Sequence, residues 1–404
     1  MTRTPAPEPA DEATSRGSPH AAVPLWRDVR VLRVVAQVAV LLVVGVLVAL
    51  ALRNLFGAIE ERGLGFGFGF LNRSAGFDIS ESPIPYTPAS TYLTAFLVGL
   101  LNTLFVSFIG IILATLLGIV TGVARLSPNW LVRQIASGYV ELMRNTPLLV
   151  QLFIIYFAVL LQLPSVGNSV SIGEAFFLNL RGIYAPAPQL GPGALLLAAF
   201  VLAAVGVLVG SLVIAGRRAR EGAPIRRLGL YGFVGFLALL VIGWFASGRP
   251  ISFELPALDG FNFRGGLRLS PEFTALLIGL VLYTGAFIGE VVRGGIQAVR
   301  RGQWEAARAL GLSEGQTLRL VVFPQAMRVI VPPLTSQYLN LTKNSSLAIA
   351  IGYPDLFKVG QTMANQTGQP VPVMLLIMGT YLAISLATSA VMNLYNRRVQ
   401  VLER

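Results

Sequence analysis

The sequence predicts an all-α polytopic membrane protein of about eight transmembrane helices. Three observations predict it. Of the 404 residues, 54% are hydrophobic and only 12% are charged. Several apolar runs reach about 18 residues, enough to cross the roughly 30 Å hydrocarbon core as helices. These runs lack the period-2 alternation of a barrel strand, and helices or closed barrels alone satisfy their backbone in lipid.

Residues 1–30, rich in Pro, Ala, Glu and Arg, read as a disordered leader. The first apolar run, Val34–Leu52, ends near Ala49-Leu50-Ala51, which vaguely fits a cleavage site. It exceeds the roughly 7–15 residues of a signal-peptide core and follows a long polar leader, so it reads as an uncleaved span. Further spans are expected over Leu93–Val123, Ile135–Leu161, Leu195–Ala215, Leu230–Ala246, Phe273–Val292, Pro324–Leu341 and Val371–Leu394. With the N-terminus inside, the inner segments carry Arg27 and Arg30, then Arg125 and Arg133, then the group from Arg217 to Arg227. Arg300, Arg301, Arg308 and Arg319 follow, and finally Arg397 and Arg398. Outer segments hold scattered arginines diluted by Glu60, Glu61, Asp78, Glu174 and Glu254. This asymmetry places both termini inside.

The expected organisation is a leader (1–30), a first span with an outer insertion (31–92), a first core part (93–162), an inserted segment with two spans (163–271) and a second core part (272–404). The first insertion contains "GFGFGFLNRSAGFDIS", whose Gly/Phe alternation at 65–70 suits an interfacial ornament or short strand pairing.

Composition excludes several chemistries. There is no cysteine, and the single histidine, His20, lies in the leader, so neither disulfides nor His- or Cys-ligated metals are expected. Lys343 and Lys358 are the only lysines, followed by Asn344 and Val359, so no GxxxxGK[ST] phosphate loop exists. No cofactor and no ATP hydrolysis by this chain are expected. The net charge of +12 is explained by inner-face anchoring, without nucleic acid.

The stretch "EAARALGLSEGQTLRLVVFP" (305–324) departs from its greasy surroundings. Residues 302–310 read as a short helix, with Trp304, Ala307 and Leu310/Gly311 at helical spacing. Gly311 suits a left-handed terminus, and Ser313-x-x-Gln316 forms a capping box for a second helix that leads to Pro324. The loop 302–324 therefore reads as a rigid inner protrusion with an apolar, small-residue face. It either docks into a groove of another protein or lies on the membrane as a linker.

Glu305-Ala306-Ala307-x3-Gly311-x9-Val321-x-Phe323-Pro324 resembles the EAA loop, EAA-x3-G-x9-I-x-LP, of bacterial ABC importer permeases. Val321 and Phe323 are its only departures, and both stay apolar. The resemblance implies a type I (MetI-like) permease core whose loop is the coupling helix seated on a cytoplasmic ATPase. "LSEGQ" (312–316) echoes an ATPase signature by coincidence, given the missing phosphate loop. "ELMRNTPLLVQLF" (141–153), "GEVVRGGIQAVRRGQWEAARALG" (289–311) and "LTKNSSLAIAIG" (341–352) are similar to permeases of the polar amino-acid branch. These matches cover 93–162 and 272–396, and the extra segments resemble the larger permease of general L-amino-acid importers. Implied partners are a pair of ATPases, a second related permease, a periplasmic amino-acid-binding protein and the amino acid itself, in a bacterial inner membrane.

Charged residues within spans usually face a bundle interior. Glu141, Arg144 and Asn145 share a helical face. Pro147 cannot donate to the carbonyl of Met143 and should kink the helix, with Thr146 and Gln151 following. This cluster suits a zwitterion, or serves as a Glu–Arg pair fixing helix packing. Glu290 and Arg293 read as a structural pair. Thr335, Gln337, Asn340 and Thr342 line the following span, ending at Lys343 and Asn344, and Leu347–Gly352 is short enough for a re-entrant gate. The rival function is a proton-coupled secondary transporter using Glu141 or Glu290, which leaves the EAA loop unexplained.

Overall fold

The protein is described by a computed structural model over residues 29–61, 67–220 and 226–400. All but the last two residues of the expected leader lie outside this range. Helix α1 (Val29–Glu61) forms a unit apart from the one beginning at Gly67. Its Val34, Val35, Val40 and Val43 are exposed around its circumference, as suits a helix surrounded by lipid.

The centre of the second unit is the pair α2 (Tyr92–Ala124) and α7 (Pro271–Gln297). Side-chain hydroxyls start both: Thr91 accepts from the Thr94 amide and Ser270 from the Phe273 amide, each satisfying an otherwise orphaned N–H. The pair is parallel, since Phe105 stacks on Phe273 at 5.8 Å and Gly118 lies against Ile288. Two small-residue ridges permit this approach: Gly118/Gly122 on α2 and Gly285/Gly289 on α7. A Cβ at Gly122 would lie 2.7 Å from the Gly289 oxygen, and one at Gly289 2.6 Å from Thr121 Oγ1. In lipid such close backbone packing replaces the hydrophobic drive available in water.

The run expected as one span over Ile135–Leu161 is broken. Helix α3 (Trp130–Asn145) and helix α4 (Leu148–Phe153) meet at Pro147, and the two halves of the run are bent by 105°. The kink follows from the missing proline N–H, and α4 continues through a π turn at Ile154–Val159.

The middle insertion holds strands that the sequence reading lacked. Strands β1 (Val170–Ile172), β2 (Phe176–Asn179) and β3 (Gly182–Ala185) precede β4 (Ala187–Leu190). A helical hairpin, α5 (Ala194–Arg220) and α6 (Arg226–Ala246), follows. The chain returns through β5 (Ile251–Glu254), β6 (Ala257–Asp259), β7 (Asn262–Arg264) and β8 (Leu267–Leu269). The antiparallel sheet runs β1-β2-β3-β8, with Ile183 opposite Leu269; β4–β5 and β6–β7 are separate ribbons. Tyr184, Phe263 and Phe177 form a small core beneath it.

The remaining helices are α8 (Arg301–Ala309), α9 (Glu314–Thr317), α10 (Phe323–Asn344), α11 (Leu356–Thr367) and α12 (Pro370–Gln400). Among the described residues, α1, α2, α5, α6, α7 and α12 are long and apolar enough to cross a membrane, and the bent pair adds a seventh candidate. The polar α10 falls outside this set despite its 22 residues. Of Leu347–Gly352, all but the left-handed cap Gly352 belong to a seven-residue 3-10 helix, Ser345–Ile351, whose buried Ser345, Ala348 and Ile351 recur at that helix's period of three. In the Gly/Phe stretch, the described residues form a 3-10 turn at Gly69–Asn72 rather than a strand, and Phe70 packs edge-on against Tyr92.

Candidate functional site: the 301–324 loop and the polar faces of α3, α4, α7 and α10

Helix α8 begins after Arg300 and ends in a Schellman motif. Gly311 stands at φ +78°, its N–H donates to the Arg308 carbonyl at 2.9 Å, and the Leu312 N–H donates to the Ala307 carbonyl at 3.2 Å. Left-handed backbone at this position favours glycine. The capping box then starts α9: Ser313 Oγ accepts from the Gln316 amide, and Gln316 Oε1 accepts from the Ser313 amide at 3.0 Å. An Arg308–Glu314 ion pair of 3.0 Å bridges the two helices. Phe323 and Pro324 open α10 after a π turn at Leu318–Val322. Val321 and Phe323 are half-buried and Pro324 is exposed.

The small-residue face of α8 that spacing suggested as free is packed against the protein itself. Ala307 is 2% exposed and Trp304 packs against the protein's own core, and the helix lies against the π turn at Leu318–Val322 and α9. What projects is the other side: Glu305, Ala306, Ala309 and the tip residue Leu310, which is 81% exposed. A cleft of 540 Å³ opens beside it, lined by Leu126, Ile296, Val299, Trp304, Glu305 and Arg308.

Two turns before the end of α7, Glu290 gathers three guanidinium groups. Arg293 holds it at 2.5 Å, Arg125 from the end of α2 pairs with it, and Arg144 of α3 stands 3.8 Å away. Arg293 also donates to Gln297 Oε1 at 2.7 Å, and the Arg144 guanidinium lies 5.3 Å from the Phe287 ring. The expected Glu290–Arg293 pair is thus present. The expected Glu141–Arg144 pair is not: Arg144 turns to α7, and Glu141 is exposed with no ion pair among the described residues. Arg125 entered the sequence reading only as an inner-face charge, because nothing local links it to a carboxylate 165 positions away.

Asn145 is exposed and Thr146 half-buried. Gln151, buried at 6% exposure, resolves the break at Pro147: its Nε2 donates to the carbonyls of Met143 and Thr146, both at 2.9 Å. These are acceptors that a continuous helix would have satisfied. Gln151 therefore holds the bend rather than presenting its amide nitrogen to a substrate. On α10, Gln337, Asn340 and Asn344 follow i, i+3, i+7 spacing on one face. Asn340 and Lys343 are exposed, and Gln337 and Asn344 are half-buried. Pairing of Tyr338 with the Thr115 hydroxyl at 3.0 Å ties this helix to α2. The geometry brings Arg144 to Glu290 and lines up the α10 amides, but places Glu141 and Asn145 at the surface.

Residues 114–401 match the family described as binding-protein-dependent transport system inner membrane component. The chain is 46% identical over 373 residues to the putative amino-acid ABC transporter permease protein YhdX of Escherichia coli, with 92% of this chain and 94% of that one covered. It is 45% identical over 344 residues to the general L-amino acid transport system permease protein AapQ of Rhizobium johnstonii, covering 84% of each. It is 41% identical over 409 residues to the glutamate/glutamine/aspartate/asparagine transport system permease protein BztB of Rhodobacter capsulatus, covering 93% of this chain and 96% of that one.

Proposed function

Since this chain belongs to the family of binding-protein-dependent transport system inner membrane components, as an amino-acid ABC permease of the polar branch, we propose that it forms the translocation pathway of an ATP-driven importer of L-amino acids and couples that pathway to a cytoplasmic ATPase through residues 302–324. The observation that carries the coupling role is the build of the loop: a Schellman turn ends α8 and a capping box starts α9, and the Glu305, Ala306 and Leu310 side of α8 is left projecting. A rigid helix presenting one face is what a groove on a partner recognises.

In this reading eight segments cross the inner membrane: α1, α2, the bent α3–α4 pair, α5, α6, α7, α10 and α12. Both termini lie in the cytoplasm. The core comprises 93–162 and 272–404, with 31–92 and 163–271 supplying the first span and the inserted segments. A second, related permease completes the pathway, and a periplasmic protein delivers a general range of L-amino acids. Gln337, Asn340, Lys343 and Asn344 face the route, with Arg144, Asn145 and Thr146 near its inner side. ATP is hydrolysed by the partner subunit.

A secondary transporter with a carboxylate proton carrier is disfavoured by the surroundings of Glu290, which is held by three arginines. The test is purification of the tagged chain in mild detergent with its partners identified by mass spectrometry. An ATPase with a phosphate loop and a second EAA-bearing permease are expected. Recovery of this chain alone, in a preparation still competent for uptake, would overturn the proposal.

A further inference from the structure

At the end of α2 and α7 opposite the 301–324 loop lies a cavity of 550 Å³, within the roughly 300–1,000 Å³ typical of small-molecule sites. The 27 residues of α7 put about 40 Å between the two ends. Its walls come from four separate places: the first insertion (Glu81), α2 (Asn102), the returning strand of the second insertion (Arg268) with the start of α7 (Glu272), and the segment after the 3-10 helix (Tyr353). Stacked Phe105 and Phe273, with Tyr353 at 5.9 Å from Phe273, give it an aromatic side.

Its polar groups are built rather than incidental. Asn102 is 4% exposed, and its Nδ2 donates to the carbonyls of Glu81 and Pro354, both at 2.9 Å. That leaves Oδ1 with no donor among the described residues, in a side chain that lines the cavity. An amide oxygen open to the cavity can accept from a donor that a ligand brings. Glu272 accepts from the Tyr156 hydroxyl at 2.7 Å, which leaves its carboxylate further capacity. Burial raises the Glu81 carboxyl above its ordinary range; the Ser270 hydroxyl opposes this, Glu272 adds to it, and Arg268 lowers it.

We propose that this cavity binds a free amino acid on its way into the pathway, with Glu81 and Asn102 Oδ1 accepting from its ammonium group and Arg268 pairing with its carboxylate. Two carboxylates against one guanidinium favour ligands of zero or positive net charge. The proposal rests on the importer reading and places an entry site on the two insertions rather than on the shared core.

The test is equilibrium binding of tritiated L-glutamine to the detergent-solubilised whole transporter, without the binding protein. Glu81→Gln and Arg268→Gln are each expected to weaken binding about tenfold or more, as loss of a charge-assisted contact does. 4-Carbamoylbutanoate, which lacks the ammonium group, is expected not to compete. Arg268 lies exposed at the rim, so its variant carries the test if Glu81→Gln fails to assemble. Unchanged affinity in the variants, full competition by the analogue, or no binding by the wild type would each overturn the proposal. ATP-driven uptake with the binding protein is measured in parallel. Uptake retained without binding at the cavity overturns the entry site alone, and uptake absent in the wild type overturns the importer reading with it.

Discussion

Replacing Glu290 with Gln keeps the shape of the side chain and removes the one negative charge among Arg125, Arg144 and Arg293. The local charge rises from +2 to +3. The Arg125 side chain is 14% exposed, and Glu290 and Arg293 are 27% and 28% exposed, so water screens the cluster only in part. Breaking a fully buried pair costs about 3–5 kcal/mol, and partial exposure reduces this to roughly 2–4 kcal/mol here. Arg144→Ala removes the 3.8 Å contact and the placement over Phe287 of a side chain that is 40% exposed, together worth about 1 kcal/mol. Thermal unfolding of the two variants in one detergent should therefore separate them, with Tm several degrees lower for Glu290→Gln and little changed for Arg144→Ala. Equal shifts, or no shift for Glu290→Gln, would refute the assignment of Glu290 as the centre that pins α2, α3 and α7 together.

Gly311→Asp places a side chain where φ is +78° and nothing lies within 4 Å of the new Cβ. The stability cost should be modest, about 1–2 kcal/mol, while uptake and stimulated ATP hydrolysis are lost because the turn aiming α8 has moved; retained uptake would contradict the coupling role. Gln151→Leu strands the Met143 and Thr146 carbonyls in an apolar setting, at about 1–3 kcal/mol each, and should lower Tm. Glu81 supplies a pH dependence. Its pKa is raised in the folded protein by burial, so the folded state holds the proton more tightly. Its stabilising contribution is complete below the unfolded pKa and is lost as pH rises through the folded one. Glu81→Gln should remove that loss, leaving Tm at neutral pH equal to or above the wild type even as ligand affinity falls; a lower Tm would mark Glu81 as structural.

What the sequence revealed depended on whether the relevant physics was local. The helix at 301–309, the left-handed Gly311, the capping box at Ser313 and the kink at Pro147 are each fixed by residues within a few positions, and each was legible. The Glu290–Arg293 pair was legible for the same reason. The third partner, Arg125, is brought in by the packing of two glycine ridges, which no spacing along one helix discloses. The inward face of α8 was missed because Trp304 and Ala307 are covered by segments outside the helix, the π turn at Leu318–Val322 among them, which spacing within α8 does not disclose. The eight strands are three or four residues each, too short for a period-2 pattern to rise above the apolar background. Gln151 illustrates the remaining difficulty: a polar residue in a span resembled a ligand contact, whereas its amide repairs the backbone broken by Pro147.

The most direct test of the central claim uses the absence of cysteine from the chain. Leu310→Cys puts a single thiol at the projecting tip of α8, where it can be treated with a short thiol-to-amine cross-linker in native membranes. The account predicts one covalent adduct, containing an ATPase subunit with a phosphate loop, and its disappearance when Gly311→Asp is added. An adduct with no such subunit, or a tip that reacts only with lipid and soluble reagents, would contradict it.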